Sequence, residues 1–178
     1  MKSLLFFLIV FTGIALKAQN APLTVGFEQD ALPYVLDGYF ANVWVGKGHV
    51  RSRVLFASVR KPDFLLPNAF TNNRVHAYAI TGDFFLRENW QGWWISGGGV
   101  LWKNSLQTDL KQETAHFNTV LVNGSLGYSW KFYKNFYVSP WAGLHLRVGG
   151  DKPVAVDSKE YNPPFLNPEA SIKIGWHF

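Results

Sequence analysis

Ser171-Ile172-Lys173-Ile174-Gly175-Trp176-His177-Phe178 ends the chain, and the reading of this stretch decides the fold class. Side chains on an extended strand point alternately to opposite faces. Ile172, Ile174, Trp176 and Phe178 therefore share one wholly apolar face, while Ser171, Lys173, Gly175 and His177 share one that is polar or small. Such period-two alternation marks a β-strand with unlike surroundings on its two sides. It does not say which face looks outward.

The pattern continues upstream. Phe136, Val138, Pro140, Ala142, Leu144, Leu146 and Val148 point one way, with Tyr137, Ser139, Trp141, Gly143, His145 and Arg147 between them. Before the turn Tyr133-Lys134-Asn135, the residues Val120, Val122, Gly124, Leu126, Tyr128, Trp130 and Phe132 share a face, and Leu121 breaks the opposite, polar one. Weaker alternation places five more strands near 93–104, 75–86, 50–61, 38–46 and 22–28. Several reach the ~9–11 residues that a tilted strand needs to cross a bilayer. Pro140 removes a ladder donor, which predicts a bulge or a shifted boundary there. Gly97-Gly98-Gly99 lacks the following helix and Lys-Ser/Thr of a phosphate loop, so it reads as a bend, a bulge or a close approach.

Short links (47–49, 87–92, 133–135) alternate with long ones (62–74, 105–116, 149–167). Placing Phe178 at one end puts every short link at that same end. This is the asymmetry of a barrel with tight periplasmic turns and long external loops. Twelve aromatics fall near the short-link end: Trp44, Phe84, Trp90, Trp93, Trp94, Trp130, Phe132, Tyr133, Phe136, Tyr137, Trp176 and Phe178. A girdle at the headgroup level is the physical expectation.

Met1-Lys2-Ser3, the apolar run Leu4 to Leu16 and Lys17-Ala18-Gln19 form the pattern of a secretory signal peptide, cut after Ala18. The sequence thus divides into a signal at 1–18 and one domain at 19–178. Without Lys2 and Lys17 the formal charge falls from +5 to +3, and the basic residues form no run or stripe, so nucleic acid is not an expected partner. There is no cysteine, hence no disulfide staple. Beyond the signal no apolar run approaches the ~20 residues of a membrane helix. A bilayer-embedded domain must then be a closed barrel, which satisfies every backbone group within itself.

On these residues the chain resembles the small eight-stranded outer-membrane barrels of the OmpA transmembrane-domain and OmpX type. The resemblance covers nearly all of 19–178 and rests on strand count, loop asymmetry and the terminal Ile172-x-Ile174-x-Trp176-x-Phe178 pattern. It implies an eight-stranded antiparallel up-and-down transmembrane barrel in the bacterial outer membrane. It further implies a monomer amid outer-membrane lipid and lipopolysaccharide, its last strand read by the barrel assembly machinery.

If the apolar faces look outward, the inner face carries Arg51, Arg53, Asp83, Lys131, His145, Arg147, Glu169, Lys173 and His177. Charges inside a narrow barrel must be paired. Symmetric closure of the loops sets Arg53 opposite Asp83 and Arg147 near Glu169. The interior of eight strands has room for side chains or one small ligand. The five histidines show no zinc spacing, so neither a metal nor another cofactor is expected. No catalytic site is recognisable, which favours a structural, surface-interaction or small-ligand role. Two alternatives stay open. A soluble periplasmic β-barrel binding a small apolar ligand fits the same alternation. A lipid A-modifying enzyme fits the architecture, although the His-x-Ser pair of the deacylase type is absent: His145 is followed by Leu146-Arg147, His116 by Phe117-Asn118 and His76 by Ala77-Tyr78.

Overall fold

The computed structural model describes residues 21–110 and 113–178; the expected signal at 1–18 lies outside them. In chain order the elements are β1 (Thr24–Asp30), α1 (Ala31–Val35), β2 (Tyr39–Lys47), β3 (Val50–Arg60), a 3-10 turn (Asp63–Leu65), β4 (Phe70–Phe85), β5 (Gly92–Thr108), β6 (Thr114–Tyr133), β7 (Phe136–Gly150), the short hairpin β8 (Val154–Val156) and β9 (Lys159–Tyr161), and β10 (Leu166–His177). Eight of the strands close into a barrel in the order β1-β10-β7-β6-β5-β4-β3-β2, every neighbour antiparallel.

The register fixes the tilt. A row of facing residues runs Asn167–His145–Asn123–Gly98–Thr81–Arg53–Trp44–Gly26–His177. It leaves β10 at Asn167 and returns to it at His177, ten residues along. Eight strands with this stagger stand at roughly 40–45° to the barrel axis. Each residue then climbs about 2.4 Å of height from a rise of ~3.3 Å.

Both termini of the barrel and its tight turns, at Gly48-His49, Leu86 to Gln91 and Lys134-Asn135, lie at one end. Gly48 (φ 59°) and Lys134 (φ 46°) supply the left-handed backbone that these turns require. The longer connections lie at the other end. They are shorter than the sequence suggests, because β4, β5 and β6 reach 16, 17 and 20 residues and extend into 70–74, 105–108 and 114–118. The stretch 149–167 is not plain loop either: β8 and β9 pair there and pack Val154, Val156 and Tyr161 on Phe70, Leu106 and Phe117. Apolar inward residues beyond the membrane-length part of the strands give this hairpin a small core to sit on.

Pro140 produces no bulge. The register is the same on both sides of it (Gly127 with Trp141, Trp130 with Val138), and the shifts in that ladder fall at Val120/Leu121 and Lys131/Tyr133. Its ring is exposed on the outer face, so the only cost is one missing donor. Gly98 does mark a close approach, since a Cβ there would lie 2.2 Å from the Ile80 carbonyl oxygen.

Candidate functional site: a layered barrel interior

The apolar faces look outward. Ile172, Ile174 and Phe178 are exposed, as are Val120, Val122, Leu126, Tyr128 and Trp130 on β6. Two clusters of aromatics lie at the borders of this apolar surface. One, near the tight turns, joins Phe27, Trp176, Phe178, Phe136 and Phe132 through centroid distances of 4.2–6.3 Å. The other, on β2–β4, joins Tyr39, Phe56 and Tyr78 at 5.4 and 5.0 Å. Four of the twelve expected girdle aromatics are not in a girdle. Trp44, Trp90, Trp94 and Tyr137 turn inward and, with Phe85, fill the turn end of the barrel. Strand parity puts Trp44, Trp94 and Tyr137 on the inner face, Trp90 folds in from its turn, and small residues make room. Gly26, Gly46, Gly127 and Gly175 face inward, and a Cβ at each would come within 2.3–2.6 Å of a ring atom of Trp44, Trp90, Trp94 and Tyr137 respectively.

Above this plug lies a closed ring of charge. Arg51 donates Nε to Asp83 at 2.6 Å and Nη1 to Glu28 at 2.8 Å. Arg53 donates Nη2 to Asp83 at 2.7 Å and Nη1 to Glu28 at 3.4 Å. All four side chains are buried. Tyr137 Oη and Asn42 Nδ2 also donate to Glu28, each at 2.8 Å, and Trp44 Nε1 donates to Tyr137 Oη at 3.0 Å. The expected register is off by two residues: Asp83 faces Arg51, Thr81 faces Arg53, and Arg53 reaches Asp83 diagonally. Glu28 was missed by the sequence reading altogether.

Lys173 joins this layer with no ion pair among the described residues; its ammonium lies 4.0 Å from the Trp141 ring centroid and 5.4 Å from that of Trp94. Asp30 accepts from Trp141 Nε1 at 2.8 Å, from Ser171 Oγ and from the Leu32 N–H that opens α1. Higher up, Glu169 pairs with His145, at 2.8 Å, and not with Arg147 as the loop closure suggests. The ladder explains it: Asn167 faces His145 and Glu169 faces Gly143, while the Arg147 backbone bonds to Phe165. Arg147 and Lys131 face the interior but form no ion pair among the described residues.

The upper half of the interior is a cavity of about 540 Å³. Leu55, Ala57 and Val59 of β3, Val75, Ala77 and Ala79 of β4, and Val100 of β5 form one apolar wall. Asn123, Ser125, His145 and Glu169 form the facing polar wall, and Arg53, Thr81 and Lys173 the floor. Tyr161 of the β8–β9 hairpin roofs the β4–β6 side, and the mouth opens beside α1 and the 3-10 turn. At the mouth the Lys61 ammonium sits 4.4 Å from the Trp102 ring centroid, and burial pushes its pKa down to about 8.

One solved structure resembles this barrel. It is the crystal structure of Neisserial surface protein A, 9% identical in sequence, with a TM-score of 0.45 over 87% of this chain and 92% of that one. No protein-family model and no curated protein matches the sequence.

Proposed function

We propose that the protein is an integral outer-membrane β-barrel, exported through residues 1–18, that passes no solute and holds a small apolar ligand in the external half of its lumen. The observation that carries the membrane assignment is the inverted polarity of the barrel. Apolar residues cover the outside, with an aromatic cluster towards each end, and the buried charges lie inside. A soluble barrel is built the other way round. On β6 the apolar outer face runs from Trp130 to Val120 and gives way to Asn118, His116 and Thr114. Ten residues at this tilt span about 24 Å, close to the ~25 Å apolar band of outer-membrane barrels. The ring closes through β1 and β10, and beyond Asp30, where β1 stops, α1 packs against β10 in its place.

The orientation with loops outward follows from where the long connections and extended strands lie. Deep charge and aromatic layers close the periplasmic end, which leaves the external cavity as the interior's available space. The test is extraction and gel mobility. The protein should stay in the membrane pellet through carbonate and run faster in SDS before heating than after. Release by carbonate, with no heat-dependent shift, would refute the assignment.

A further inference from the structure

The cavity has features that narrow its occupant. Lumens of transmembrane barrels are lined by polar side chains, yet seven inward positions on β3, β4 and β5 here are Leu, Val or Ala. On β3 and β4 the residues facing outward beside them, Val54, Phe56, Tyr78 and Ile80, are apolar as well. The lower part of the wall is thus apolar on both sides, and Ser58 and His76 face outward beside its upper part. Water gains little on such a surface.

The floor has the opposite character and is short of acceptors. Glu28 already accepts from Asn42, Arg51, Arg53 and Tyr137, Asp83 from both arginines, and Asp30 from three donors. Arg53 Nε and Thr81 Oγ1, on buried residues of the floor, have no hydrogen-bond partner among the described residues. Lys173 adds an ammonium with ring contacts and, among the described residues, no carboxylate within ion-pair distance. Buried donors without partners are rare, and the cost of leaving them so makes the site receptive to an oxygen acceptor.

The surroundings of the mouth indicate where the occupant comes from. β1 pairs with β10 only as far as Asp30 and Lys173, whereas β10 continues alongside β7 up to Leu166. The breach between upper β10 and β2 is closed by α1, whose Leu32, with Leu36 just after the helix, lines the cavity while Tyr34 and Val35 are exposed. Phe64 and Leu65 of the 3-10 turn are exposed next to the same mouth. The apolar outer band therefore continues upward across the breach and meets the cavity there.

From this geometry, and resting on the membrane-barrel reading above, we propose that the cavity binds one molecule of a single-chain amphiphile drawn from the surrounding lipid. Its hydrocarbon chain lies along the β3–β5 wall, and an oxygen-bearing head, of the carboxylate class, is held by Arg53, Thr81 and Lys173. The dimensions agree. From Arg53 to Lys61 the wall climbs eight residues, about 19 Å at the barrel tilt. An extended chain advances about 1.25 Å per carbon, from bonds of ~1.52 Å, so about fifteen carbons fill that depth. The volume falls within the ~300–1,000 Å³ of small-molecule sites.

The full-length protein in lipid nanodiscs, free of competing detergent, should take up tritiated palmitic acid saturably at one molecule per barrel, above the uptake of empty discs. Ala79→Phe, which puts a ring into the apolar wall, should abolish saturable uptake; Ala77→Phe serves if that variant does not fold. Thr81→Val should weaken binding about fivefold, the loss of one hydrogen bond. Absence of saturable uptake by a barrel that keeps its heat-dependent mobility would overturn the proposal and leave the membrane assignment standing. So would unchanged binding by a folded Ala79→Phe or Ala77→Phe protein. Hexadecylammonium binding as tightly as palmitate would overturn the carboxylate-class head and its placement on the donor-rich floor.

Discussion

Asp83 accepts from two arginines and Glu28 from the same two, so removing either acid leaves two buried guanidinium groups sharing one carboxylate. Breaking a buried pair costs about 3–5 kcal/mol, because the remaining charge has lost its partner and has no water. We expect Asp83→Ala to lower the unfolding free energy in lipid vesicles by about that amount, measured by urea titration. The Arg51→Met, Asp83→Leu double variant should lose less than the two single losses added together; strict additivity would contradict the direct pairing of Arg51 with Asp83. The inward glycines make a second residue-scale prediction. Gly127→Ala forces a Cβ to within 2.4 Å of the Trp94 ring, whereas Gly124→Ala, three residues away on the outer face, meets nothing within 4 Å. Overpacking costs about 1–3 kcal/mol. The first variant should lose this much on urea titration and the second almost nothing; equal effects would mean that Trp94 does not pack in the plug as described.

At the scale of elements, the regular alternation of β6, β7 and β10 was legible because outward-facing and lumen-facing positions there differ sharply in polarity. β3 and β4 alternated weakly for a physical reason. Leu55, Ala57, Val75, Ala77 and Ala79 face inward and are apolar, and they are the wall of the cavity. The feature that blurred the strand signal was the candidate site itself. Glu28 went unseen because β1 has only seven residues and its neighbours gave little periodicity to anchor it. The loop ends were hidden for another reason: strands that extend past the membrane band carry polar residues on their outer face and read as loop. That difference matters for surface labelling. Asn72 lies within β4, so an inserted tag there would interrupt a strand. An epitope placed after Asp157, in the turn between β8 and β9, should be reached by antibody on intact cells. Tags after Gly48 or Lys134 should need permeabilised cells. Labelling of the last two alone would turn the barrel over.

For the whole molecule, two barriers in series separate the cavity from the tight-turn end of the barrel. The first is the packed aromatic plug of Trp44, Phe85, Trp90, Trp94 and Tyr137. The second is the ring of Arg51, Arg53, Glu28 and Asp83, in which each cation is held between two anions and each anion between two cations. Their contacts are shared: Arg51 lies over the rings of Trp44 and Phe85 at 4.9 and 5.0 Å and donates to Tyr137 Oη at 3.2 Å. A path for ions therefore does not open when one layer is thinned. In planar bilayers the native protein should show no stepwise conductance. Trp44→Ala with Trp90→Ala removes much of the plug but leaves the charge ring closed, so that variant should stay silent too. Arg51→Ala with Asp83→Ala leaves the plug closed and should behave likewise. Only the quadruple variant, provided it keeps its heat-dependent mobility, removes both layers and should conduct. Steady ohmic steps from the native barrel would show that the layers part within the membrane, and conductance from either double variant would show that one layer alone carries the seal.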